Sequence, residues 1–126
     1  MEQVSVSGEA FRRKDVLGFI DAVAKATEAQ AEFGARLEPD PDNPANAQAI
    51  RVIGYAKAKL VPGESTFHIG FLASELTGEL ARLATQGFAY SAKLRAIEFA
   101  NEQVEVEDPI NIVIDVYRGP AASGEN

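Results

Sequence analysis

Apolar residues alternate with polar ones in six short stretches and recur at helical spacing in two others, which predicts a single α+β domain. About six short, mostly antiparallel strands are expected, with two helices at the ends or flank of the sheet. Glycines interrupt several of the strands and favour a strongly curved sheet or a small barrel. With 126 residues, 46% of them hydrophobic, the chain is long enough for one ordinary core. The domain is expected over residues 1–118, and the residues from 119 to 126, GPAASGEN, carry no periodicity and are expected to be disordered.

Gln3 to Val6 alternates as a first strand would and stops at Ser7-Gly8. The period then changes. In KDVLGFIDAVAKATEAQ, Val16, Phe19, Ile20 and Val23 fall at i, i+3, i+4 and i+7 and share one face of a helix, which Gly18 weakens by about 1 kcal/mol relative to alanine. Alternation returns at Ala31, Phe33, Ala35 and Leu37, a strand that runs into the loop EPDPDNP at 38–44. AIRVIGY follows, with Ile50 and Val52 on one face and Arg51 and Ile53 on the other. Pro62-Gly63 is a turn signal, because proline presets one turn dihedral and glycine permits the next, so residues 48–60 and 65–71 are expected to pair as a hairpin. Leu72, Leu76, Leu80 and Leu83 then mark a second helix, with Ser74 near its start and Gly87 placed to cap its end. FAYSAKLRAIEF and NIVIDVY complete the strands, separated by an acidic linker containing Pro109.

The formal charge of −7 argues against a generic nucleic-acid coat, yet screening limits charge repulsion to about 8 Å at physiological salt, so placement matters more than the sum. The charges are segregated. Arg12, Arg13 and Lys14 are consecutive; between Glu79 and Glu98 the charged residues are Arg82, Lys93 and Arg95; from Glu98 to Asp115 every charged residue is acidic. That last block reads either as a solvated loop or as a dock for a basic partner. The absence of cysteine removes disulfides and thiolate metal sites. No segment has the composition of a signal peptide or a membrane span, so a cytoplasmic, membrane-free location is expected.

Catalytic signatures are missing. His68 is the one histidine, and the chain has no GxxxxGK[ST], GxGxxG or GxSxG pattern. Glu38, Asp40 and Asp42 lack the central glycine and distal glutamate of a calcium loop. The expectation is a protein with no catalysis of its own and no cofactor.

The loop at 38–44, the strand start AlaIleArgVal at 49–52, Ile69-Gly70 and the helix beginning near Leu72 together resemble the HIRAN domain family over most of residues 4–100. The resemblance implies a small β-barrel related to the OB-fold. It also implies binding of single-stranded DNA, in the best understood members of its free 3′ end, in partnership with a DNA-processing ATPase that here would be separately encoded. Such a pocket needs a ring for stacking, a polar group for the terminal hydroxyl and cations for phosphate. Phe11 stands where the family places a stacking aromatic, and Arg12 and Arg13 are suited to the adjacent phosphates. Asn43 belongs to the Asn-Pro of the loop. Where the family commonly has Tyr-Asp after that Asn-Pro, this chain has Ala45-Asn46: Asn46 retains an acceptor oxygen and Ala45 supplies no ring. Phe71 occupies a position where some members have histidine, either as a replacement plate or as a core residue. Lys57, Lys59, Lys93 and Arg95 are further phosphate candidates if they share the face. A second reading stays open: Asn43-Pro44 and the surrounding aspartates suit any tight connection between strands, so the chain is alternatively a protein-interaction or structural module that keeps the scaffold with weakened DNA binding.

Overall fold

The computed structural model describes residues 2–8, 12–58, 62–99 and 110–120. Its elements follow in the order β1 (Glu2–Ser5), α1 (Arg13–Ala29), β2 (Phe33–Pro39), β3 (Ile50–Lys57), β4 (Glu64–Phe71), α2 (Ser74–Thr85), β5 (Phe88–Phe99) and β6 (Ile110–Pro120). The strands form two antiparallel three-stranded sheets, β1-β6-β5 and β2-β3-β4. This is the α+β class and helix count expected from the periodicities. The expected hairpin is the β3–β4 pair, with Lys57 opposite Glu64 and Gly63 at φ +86 in the turn.

Among the described residues a short main-chain crossing ties the sheets. Val6 N–H donates to the Ile112 carbonyl at 2.8 Å, and the next residue, Ser7, exchanges two main-chain bonds of 2.8 Å with Phe71. The chain after β1 therefore leaves β6 and pairs with the end of β4. This crossing explains Gly70, whose φ is +157: a Cβ there would lie 2.4 Å from Val6 Cγ1 and 2.6 Å from the Ser7 carbonyl oxygen. Among the described residues no hydrogen-bonded ladder joins β2 to β5, so the two sheets are not closed into a continuous barrel.

The core lies between the sheets and under both helices. Ile112, Ile114 and Val116 alternate inward from β6 with no exposed surface, meeting Ile50, Val52 and Ile69 of the other sheet. Each such side chain contributes roughly 2 kcal/mol. α1 buries Val16 and Phe19, two of the four residues its spacing marked; Ile20 and Val23 pack at its margin. The Phe19 ring lies directly on Gly54, where a Cβ would come within 2.7 Å of its carbons, and it tilts against Phe67 at 6.0 Å between centroids. Gly18 is used in the same contact, since its missing Cβ would sit 3.0 Å from the Phe67 ring. The helix loses intrinsic propensity there and gains close approach to the sheet.

Helix α1 ends in a Schellman arrangement: Gln30 takes φ 57, Gln30 N–H donates to the Thr27 carbonyl at 3.2 Å, and Ala31 N–H donates to the Ala26 carbonyl at 2.8 Å. α2 buries Leu76, Thr77 and Leu80, and Gly87 follows it at φ +86, the left-handed position expected of a cap. Strand β5 has the bounds expected from its alternation. β6 runs three residues past Tyr117, because Gly119 and Pro120 continue the ladder opposite Ala89 and Phe88 and Arg118 is tied to Glu2 at 2.6 Å and Glu79 at 2.8 Å. The remainder of the expected tail, 121–126, and most of the acidic linker, 101–109, lie outside the described residues. Among the described residues no helix is long and apolar enough to cross a membrane.

Candidate nucleic-acid interface

The register gathers one end of the β2-β3-β4 sheet. Pro39 stands opposite Ile50 and Arg51 opposite Phe71, so the loop at 40–49, the end of β4 and the Ser7 crossing all meet there. Phe71 is half-buried and shares a face with Arg51. His68, displaced by the bulge beside Val52/Ile53, presents its ring edge-on to Phe71 at 4.8 Å and 76°. Its Nε2 lies 3.0 Å from the Gly70 carbonyl oxygen, which fixes the imidazole. Burial lowers the His68 pKa below 6.5, and the positive charges of Arg12 and Arg51 lower it further against the opposing Gly70 carbonyl and Asp15. Arg12, immediately before α1, and Arg51 on β3 thus both bear electrostatically on His68, and Arg51 is also the cross-strand neighbour of Phe71. Among the described residues Arg12 has no ion pair, whereas Arg51 is paired with Glu38.

Asn43 and Asn46 shape the loop. The Asn43 side-chain oxygen accepts from the Ala45 and Asn46 N–H groups at 2.9 and 3.1 Å, an Asx turn, while its amide donates to Asp40 at 3.2 Å. The Asn46 oxygen accepts from Gln48 N–H at 2.9 Å, and its amide reaches Thr77 Oγ1 on α2 at 3.5 Å. Thr77 in turn donates to the Ser74 carbonyl at 2.9 Å. Asn43 therefore closes the loop on itself and Asn46 links it to α2, at the end of the sheet that carries Phe71.

Phe11, the aromatic placed by the resemblance, lies outside the described residues, as does Lys59. Arg13 is half-buried in the first turn of α1. The other cations are distributed rather than gathered. Lys57 holds Glu32 at 3.2 Å, Arg95 holds Asp115 at 3.2 Å, and Lys93 stands 5.7 Å above the Tyr117 ring. The outer face of β2-β3-β4 is a cross-strand charge network. Arg36 lies 4.3 Å over the Tyr55 ring and bonds Glu64 at 2.5 and 3.1 Å, which raises its pKa. Hydrogen bonds from Lys57 and from the Tyr55 hydroxyl, at 3.2 and 3.1 Å, hold the Glu32 carboxyl below its ordinary range.

Arg51 was not singled out by sequence reasoning. Its signal was the alternation that put it opposite Ile50 and Val52, but only the register shows that Phe71 is its neighbour. A groove of about 520 Å³ lies at the other end of the sheet, between α1 and the Lys57–Ser65 end of the hairpin, with walls of Ala22, Ala26, Ala29 and Ala56. Its cationic rim is already neutralised, Lys25 by Asp21 at 3.0 Å and Lys57 by Glu32. Among the described residues no group of three or more histidine, cysteine or acidic side chains is arranged to hold a metal ion. No family model, no curated protein and no solved structure matches this chain.

Proposed function

We propose that this domain is a HIRAN-like, OB-related module that binds single-stranded nucleic acid at the end of the β2-β3-β4 sheet. The observation that carries the reading is the convergence of the Phe71–His68 ring pair with Arg51 beside the Ser7 crossing, with the Arg12 charge felt at His68. A base stacks on a ring whose orientation is already fixed, at a cost in side-chain freedom that His68 has largely removed, and such stacking contributes roughly 1–3 kcal/mol. Arg12 neutralises the neighbouring phosphate. The loop that Asn43 closes and Asn46 links to α2 forms the adjacent wall. Few cations face the site, so the affinity depends only modestly on salt, with a slope of about −0.7 for each phosphate neutralised on a single strand. A separately encoded DNA-processing ATPase is the partner this reading supplies.

Fluorescence polarisation with labelled oligonucleotides tests it. Strands ending in a 3′ hydroxyl and in a 3′ phosphate are compared at low and moderate salt. Discrimination between the two ends with a shallow salt slope is expected, and Phe71→Ala weakens binding by about tenfold. Phe11→Ala tests the stacking role that the resemblance gives that ring. Equal and steeply salt-sensitive binding of both ends would reduce the site to surface charge. The engagement of Asn43 and Asn46 by the loop itself favours a second reading, a structural or protein-docking module on the same scaffold, under which neither strand binds even at low salt.

A further inference from the structure

Building on that reading, we infer that a bound strand does not stop at Phe71 but continues along the outer surface of β1 to a second aromatic subsite at Tyr117. Phe71 and Ser7 exchange main-chain bonds as an antiparallel pair, so their side chains share a face. Val6 points inward with 3% of its surface exposed; Ser7, Ser5 and Gln3 therefore point outward, and all three are exposed. Ser5 stands opposite Val113 and Gln3 opposite Asp115 on β6, both buried, so the exposed lane follows β1, and the part-exposed Tyr117 lies two positions further along the same face. Four positions from Ser7 to Gln3 and two more to the level of Tyr117 make a lane of about 20 Å.

The lane suits a phosphodiester strand. Its β1 portion is uncharged and small, so a backbone can lie close to it while the hydroxyls and amide donate hydrogen bonds. At its far end, the Lys93 ammonium lies over the Tyr117 ring and has no ion pair among the described residues. A base that stacks on Tyr117 moves this exposed, flexible ammonium onto the next phosphate, so ring and cation act on successive groups of one nucleotide. Beside them, between the ends of β5 and β6, is a depression of about 280 Å³ lined by Ala89, Tyr90 and Ser91 on one side and Tyr117, Arg118, Gly119 and Pro120 on the other, space for one base. The acids of this outer face among the described residues are Asp115 and Glu98. Asp115 is neutralised by Arg95, and Glu98 sits on β5, two strands from Ser7, where it accepts from Asn111 at 2.8 Å. Glu2 points to the opposite face, toward α2, where Arg118 also engages Glu79.

A length series of labelled oligothymidylates separates this inference from the reading beneath it. Oligomers of about three and about eight nucleotides, the longer falling within the roughly 4–16 that single-strand-binding folds cover, are titrated against the full chain. The longer strand is expected to bind about tenfold more tightly. Tyr117→Ala and Lys93→Gln abolish that gain and leave the short strand unaffected, while Tyr117→Phe, which keeps the ring, preserves it. A gain that persists unchanged in Tyr117→Ala and Lys93→Gln overturns the lane and leaves the Phe71 site standing. Absence of binding at every length and low salt overturns both.

Discussion

The outer faces of the two sheets treat charge in opposite ways. On β2-β3-β4, Arg51 faces Glu38, Arg36 faces Glu64 and Lys57 faces Glu32, so each of these cations is matched by an acid on the sheet or immediately before β2. On β1-β6-β5, among the described residues, Arg95 with Asp115 is the ion pair of the outer face, Lys93 lies over an aromatic ring, and the β1 side is serine and glutamine. A net charge of −7 describes neither face. Whether a cation is available to a phosphate depends on what the register puts opposite it, since cross-strand partners stand about 5 Å apart and neutralise one another locally.

The largest perturbations break the frame that both faces depend on. Phe19→Ala removes the fully buried ring that covers Gly54 and is expected to cost about 4 kcal/mol, read as a lower urea midpoint with an unchanged slope. Gly70→Ala forces a Cβ into the Ser7 carbonyl at the crossing between the sheets, and because that neighbour is backbone it cannot rotate away. A loss of about 3 kcal/mol is expected; an unchanged midpoint would show that the sheets are not tied at this point.

Smaller changes sharpen the contrast. Gln30→Gly relieves the left-handed backbone at the end of α1 and is expected to raise stability by roughly 1 kcal/mol in the same assay. Glu64→Gln releases Arg36 from its half-exposed pair; stability falls by about 0.5 kcal/mol at most, while oligonucleotide affinity rises if that face can then take phosphate. His68 supplies the pH test. Burial and Arg12 keep its folded pKa below 6.5, so the fold resists a proton that the unfolded chain accepts. Stability is therefore independent of this group well above pH 6.5 and decreases as pH falls below it, and His68→Gln flattens that slope. Binding has the opposite sign: a phosphate at Phe71 favours the protonated ring, so affinity increases toward acid in the wild type and not in His68→Gln.

Much of the fold was legible along the chain. The 3.6-residue period placed α1, the alternation gave β5 its bounds, and Pro62-Gly63 and Gly87 marked a turn and a cap. These are contacts between residues a few positions apart, and periodicity reports them directly. The candidate site was less legible. Phe71 was singled out, but its partners Arg51 and Ser7 lie 20 and 64 positions away in the chain, by subtraction of their numbers, and no local pattern joins them. Asn43 bonds the amides that follow it, as a turn-forming asparagine does, whereas Asn46, read as an acceptor for a strand end, spends its oxygen on Gln48 N–H, and its link to Thr77 required the loop and α2 to meet.

By itself, then, the amino-acid order determined which segments are helix or strand, because backbone preference and amphipathic spacing act within one turn or one pleat. It also determined that the chain has one histidine and no cysteine. Tertiary structure decided the meaning of the glycines, since Gly18, Gly54 and Gly70 are needed only where a ring or another strand approaches from far along the chain. It decided equally which cations are neutralised and which stay exposed, because an ion pair across a sheet is set by strand register, a property of two segments at once.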